Sequence, residues 1–117
     1  MIMSNKNQFI TGITDLLVLS VLKNNDSYVY EIVKSIESYS NGLLVISQNT
    51  VYTATYKLAS EGKISEYPKL VGKKRTRVYY HLEPSGEEAL QDLLKNYKSI
   101  TNGVTRVFDN LSGEALR

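Results

Sequence analysis

SQNTVYTATYKLASEGKISEYPKLVGKKRTRVYYHLEPSG, residues 47–86, carries the signals of a helix, a strand, a basic turn and a second strand, in that order. At roughly 100° per residue, Val51, Ala54, Thr55 and Leu58 share one side of a helix predicted over Ser47–Glu61. Asn49, Tyr52, Thr53, Tyr56, Lys57 and Ser60 share the opposite side, so one face is fit to pack and the other to meet solvent or a partner. Ser47 or Asn49 can cap the start, and Gly62 stands where a helix end takes a left-handed residue. Two strands are predicted beyond it, Ile64–Leu70 and Arg77–Glu83. In the second, Val78, Tyr80 and Leu82 alternate with Arg77, Tyr79 and His81, the period of a half-buried strand. Val71–Thr76 links them as a hairpin tip, and Pro68 suits an edge position. Pro84 ends the second strand, and Ser85-Gly86-Glu87-Glu88 matches a capping box that opens another helix.

Upstream, two more helices are predicted. The first spans Thr11–Asn24, with Thr11 as N-cap, Asp15 near the positive helix end, and Ile13, Leu16, Leu17 and Val21 on its apolar face. Leu19 and Leu22 widen that face. The second spans Ser27–Tyr39, capped by Ser27, with Ile32, Val33 and Ile36 buried. Leu43–Ile46 is a short apolar run of strand character. Downstream, Leu90, Leu93, Tyr97, Ile100, Val104, Val107 and Leu111 recur at alternating steps of three and four, a heptad seam locally weakened by Gly103. The expected fold is α+β and mainly α: three helices and a two-stranded wing, a winged helix-turn-helix, with a long C-terminal dimerisation helix. The winged domain is assigned to residues 9–84 and the dimerisation helix to 85–112. Three short helices cannot cover the whole seam, so a second copy of the chain is the expected partner.

Composition narrows the function. The chain has 117 residues, 42% hydrophobic and 22% charged, the profile of one globular domain. There is no cysteine, hence no thiol nucleophile and no thiolate metal site. No apolar run is long enough to span a membrane, and Met1–Gln8 reads as a frayed lead-in rather than a secretory signal. A cytoplasmic protein is expected. The net charge is only +2, yet it is unevenly placed. Residues 1–62 hold four basic and five acidic side chains, and residues 83–117 four and six. Residues 63–82 hold six basic side chains against one acidic, Glu66. Positive charge is thus focused on the hairpin, where it can attract phosphate.

These parts suit double-stranded DNA. A helix fits the major groove, where each base pair shows its own donor and acceptor pattern. Ser47, Gln48, Asn49, Thr50 and Thr53 put short hydrogen-bonding groups near the N-terminus of the third helix, whose free N–H groups also favour phosphate. Tyr52, Tyr56 and Lys57 can reach the backbone, and Lys73, Lys74, Arg75 and Arg77 of the wing can follow a flanking phosphate strand. Enzyme chemistry lacks its parts. The single histidine, His81, falls on a strand, Glu87 and Glu88 read as first-turn carboxylates, and there is no phosphate loop or metal-ligand cluster. No catalytic residue, metal or cofactor is assigned. The alternative is a winged-helix module that binds protein or RNA, against which the three consecutive cations Lys73–Arg75 argue for a polyanion.

Asn49-Thr50-Val51-Tyr52, followed by Lys57-Leu58-Ala59-Ser60-Glu61-Gly62-Lys63-Ile64, resembles the PadR signature G-T-L-Y-P…R-L-E…G-L-I. Arg77-Val78-Tyr79-Tyr80-His81-Leu82-Glu83-Pro84-Ser85-Gly86 is similar to that family's R-x-Y-Y-x-L-T-x-x-G segment. Thr14-Asp15-Leu16-Leu17-Val18-Leu19 and Tyr28-Val29-Tyr30-Glu31-Ile32 resemble its opening helices, so the likeness runs over residues 9–110. Asn49, Thr53 and Ala59 depart from the usual glycine, proline and glutamate, while Lys57 replaces arginine and Glu83 threonine. The resemblance implies a transcriptional regulator, in most members a repressor, that grips an inverted repeat as a homodimer and is released by a small-molecule effector. Some members hold flat ligands between tryptophans, a mode this tryptophan-free chain does not share. Another winged-helix class, such as the MarR-like regulators, would change the effector and not the DNA reading.

Overall fold

Ser47 closes the first turn of the central helix: its hydroxyl accepts the Thr50 N–H at 3.1 Å and donates to the Thr50 hydroxyl at 2.9 Å. The computed structural model describes residues 5–111. Within them the order is α1 (Asn5–Asn24), α2 (Val29–Tyr39), α3 (Gln48–Ser60), β1 (Ile64–Val71), β2 (Arg75–Leu82) and α4 (Pro84–Asn110). The α+β, mainly helical winged-helix architecture is as expected from sequence. Helix α3 ends in a Schellman motif, with Gly62 at φ 74°. Lys63 N–H reaches the Leu58 carbonyl and Gly62 N–H the Ala59 carbonyl, each at 3.0 Å. That left-handed residue turns the chain straight into β1.

Strands β1 and β2 pair antiparallel with Ile64 opposite Leu82 and Val71 opposite Arg75, so the turn is only Gly72-Lys73-Lys74. Arg75 and Thr76, expected in the turn, belong to β2. Ser27 exchanges backbone hydrogen bonds with Tyr80 at 2.9 and 3.3 Å, a single-residue third strand that ties the wing to the helices. Ser27 therefore does not cap α2; Tyr28 occupies that position without a side-chain bond. The wing's alternation holds for Tyr80, which is buried, and fails at Val78, which is 46% exposed, because a two-stranded wing has only its root against the core.

The core gathers Val18, Leu19 and Leu22 of α1, Ile32 and Ile36 of α2, Val51 and Leu58 of α3, with Ile46, Ile64, Tyr80 and Leu90. On α1 the buried arc is centred on Val18, Leu19 and Leu22; Leu17 and Ile13 are only half-buried. Helix α1 starts at Asn5, so Thr11 lies inside it, Asp15 is far from its N-terminus, and residues 5–8 of the expected lead-in are helical. Residues 1–4 and 112–117 lie outside the described residues. Leu43–Ile46 forms no strand; it is an irregular connection in which Ile46 alone is buried.

Helix α4 begins two residues earlier than the capping-box reading. Glu83 is the N-cap and Pro84 the first helical residue, where proline's missing N–H costs nothing. Ser85 instead donates to the Gly62 carbonyl at 2.9 Å, and Glu87 pairs with Lys23 at the end of α1. Gly86 lies so close to Lys63 that a Cβ would stand 2.0 Å from its carbonyl oxygen. Leu90 is buried in the protomer's own core and Leu93 packs against it. From Lys95 to its end at Asn110 every residue of the helix is exposed, as is the C-cap Leu111. No helix of the described residues is long and apolar enough to cross a membrane.

Candidate nucleic-acid interface

Helix α3 buries Val51, Ala54, Thr55 and Leu58, the four positions expected from spacing, and that fixes which way its polar face looks. Gln48, Asn49, Tyr52, Thr53, Tyr56 and Lys57 are all exposed, Tyr52 at 55% and Tyr56 at 70%. Thr50 is half-buried and shares its hydroxyl with Ser47. Thr53 donates back to the Asn49 backbone carbonyl at 2.9 Å, and Asn49 itself is exposed on the first turn. Lys57 is not free: its ammonium pairs with the Asp15 carboxylate of α1.

The wing supplies the charge. Lys73 and Lys74 sit at its exposed tip and Arg75 opens β2. None of these three, nor Arg77, lies within ion-pair distance of a carboxylate among the described residues. Arg77 places its guanidinium 4.2 Å from the Tyr28 ring centroid, and Lys69 its ammonium 4.7 Å from that of Tyr79. The rings form a continuous cluster: Tyr28 meets Tyr79 edge-on at 5.3 Å, and Tyr67 stacks on Tyr79 at 5.9 Å. Lys69 and Arg77 are cross-strand partners, and like charges so placed repel each other. The tyrosines offset that cost by holding each cation over a ring face, with its N–H donors still available. Lys69 and Tyr28 belong to this surface although the sequence singled out neither. The strand register that sets Lys69 opposite Arg77 would have found the first; Tyr28 is brought there only by the Ser27–Tyr80 bridge.

Helix face and wing are continuous. A groove of about 620 Å³ is lined by Tyr52 and Tyr56 of α3, Tyr28 and Tyr30 at the start of α2, and Arg77 and Tyr80 of β2. A second hollow of about 690 Å³ runs under the tip, between Lys73, Lys74, Arg75 and the Tyr28–Tyr79 pair. Their polar members are N–H and O–H donors or cations, Glu66 being the exception.

His81 performs a different task. Its Nδ1 lies 2.8 Å from the Asp26 carboxylate, which also accepts the Tyr67 hydroxyl at 2.7 Å. The loop between α1 and α2 thereby grips both strands of the wing. Partial burial pushes the Asp26 carboxyl upward, but the bonds from Tyr67 and His81 and the charges of His81 and Lys69 outweigh it and hold the group below its ordinary value. The bond to Asp26 raises His81, against a smaller desolvation effect, and raises Tyr67 as well.

Tyr97, Ile100, Val104, Val107 and Leu111 of the predicted seam are exposed, and Phe108 joins them. At about 100° per residue they fall within one arc of roughly the width of an apolar helix face. Nothing among the described residues covers it.

A family profile described as the transcriptional regulator PadR-like family matches residues 18–92. A transcriptional regulator from Clostridium thermocellum is 30% identical, with 90% of this chain and 97% of that one covered and a TM-score of 0.78. A PadR family regulator from Eggerthella lenta is 26% identical over 89% of this chain and 88% of its own, with a TM-score of 0.77. Bacillus subtilis PadR, solved in complex with operator DNA, is 23% identical over 70% of this chain and 46% of its own (TM-score 0.65), a likeness of fold. No curated protein matches the chain. With that profile covering well over half of its length and these neighbours sharing its winged helix, the chain belongs to the PadR-like family of transcriptional regulators.

Proposed function

We propose that the chain is a sequence-specific DNA-binding regulator that acts as a homodimer on an inverted-repeat operator, as a repressor, with a small-molecule effector of unassigned identity releasing it. The observation that carries the reading is the continuity of an exposed hydrogen-bonding helix face, through Tyr52 and Tyr56, with a wing whose tip cations lack carboxylate partners among the described residues. Such a surface divides the work between base edges and phosphates. Residues 9–84 form the DNA-binding unit. Residues 85–112 hold the dimerisation helix, with Tyr97, Ile100, Val104, Val107 and Leu111 facing the partner copy while Leu90 and Leu93 anchor the helix to its own domain. The operator complex of Bacillus subtilis PadR supports DNA as the ligand of this scaffold.

A titration of the purified protein against labelled duplex DNA at rising salt tests the reading. Phosphates bound by the wing predict that log K falls linearly with log salt, with a slope of about −0.9 for each phosphate neutralised. Binding that is absent, or indifferent to salt, would assign the surface to a protein partner.

A further inference from the structure

The geometry points to Asp15 as the residue that restrains the reading helix from attracting DNA indiscriminately, by holding the ammonium of Lys57 in an ion pair. This rests on the DNA-binding reading above. Lys57 is the one charged residue of α3, in the run QNTVYTATYKLAS. Asp15 comes from α1, and because α1 begins at Asn5 its carboxylate is too far along to complement that helix's positive end. Its partner is instead the lysine of another helix, 42 residues away.

Both side chains remain accessible, Asp15 at 30% and Lys57 at 53%. A pair this exposed adds little to stability. What it changes is the charge of the surface. Asp15, Asn49, Thr50, Thr53 and Lys57 line one cleft of about 310 Å³, so the carboxylate stands beside the groups that would read base edges. A phosphate arriving there meets a cation already neutralised and an anion that repels it. Attraction that ignores sequence is thereby confined to the wing, and α3 contributes only where its hydrogen bonds are satisfied. Specificity is a difference between affinities, and a repulsive group at the reading face widens it by weakening the wrong complexes. Asp15 is accordingly a positioning and specificity residue for Lys57.

The test measures binding of a labelled scrambled duplex, and of a duplex enriched by selection, to the wild type, Asp15→Asn and Asp15→Ser across a salt series. Removing the carboxylate is expected to tighten scrambled-duplex binding roughly three- to tenfold and to steepen its salt slope by about 0.9, the equivalent of one more neutralised phosphate. The selected duplex gains less, so discrimination falls. Glu88→Gln, which removes an exposed charge of the same sign from α4, leaves both affinities unchanged. Asp15 variants that bind the scrambled duplex as the wild type or Glu88→Gln does would overturn the inference while leaving DNA binding intact. A wild type that binds neither duplex would instead remove the reading beneath it.

Discussion

Gly86 shows how much one atom decides here. The family-like segment ending in this glycine has the pattern of a helix start, yet its position is set by packing: a Cβ would meet the Lys63 carbonyl at 2.0 Å and the Leu82 side chain at 2.8 Å. Gly86→Ala must push α4 away from the β1 root, where Leu90 completes the core. We expect a loss of about 1–3 kcal/mol, the usual cost of overpacking, measured by urea denaturation. Unchanged stability would mean that the helix docks more loosely than described. His81 gives a second residue-level expectation. Its raised pKa contributes stability that is full below the ordinary value of 6.5 and lost as pH rises through the folded value. The lowered Asp26 contributes stability above 3.8 that is lost as pH falls through its folded value. The clamp is therefore strongest between those limits. His81→Gln should destabilise the protein more at about pH 6 than at about pH 8.5. An equal effect at both would show that the bond, and not the charge, holds the wing.

At the scale of elements, α3 and the wing were legible because each obeys one local rule. The 3.6-residue period of Val51, Ala54, Thr55 and Leu58 marked the buried face of α3 correctly, and the exposed face followed by subtraction. The basic tip announced itself by charge. What sequence could not show was set by partners remote in the chain. Ser27 looked like a cap and is a strand residue, because Tyr80 offers it a backbone pair. Lys57, expected from sequence to reach the DNA backbone, also pairs with Asp15 of another helix. Tyr28 joins the candidate surface through Arg77, and Val78 is exposed because the wing has one covered end. The wing also carries the element-level prediction. Replacing Lys73, Lys74 and Arg75 together by alanine should weaken binding to every DNA sequence and flatten the salt slope by about 0.9 for each phosphate that is no longer neutralised. A slope that does not move would take the wing out of the interface.

For the whole molecule the question is what α4 is for. A helix of 27 residues is about 40 Å long, and only its first turns touch the domain. Beyond them an apolar stripe from Tyr97 to Leu111 lies open, which a second copy of the same helix can cover in a two-fold arrangement. Tyr97→Glu with Ile100→Glu should give a folded monomer in sedimentation, with DNA binding weakened because the two half-sites are no longer joined. Dimers that persist would place the interface elsewhere. A two-fold dimer of winged helices sets its reading helices about 34 Å apart, one turn of DNA.

The most direct test of that arrangement is selection of bound sequences from a random duplex pool by the purified protein at physiological salt. Paired α3 helices in a two-fold dimer predict an enriched inverted repeat whose half-sites are about ten base pairs apart, centre to centre. A pool that stays random, although the protein is folded and dimeric, would contradict sequence-specific recognition by α3.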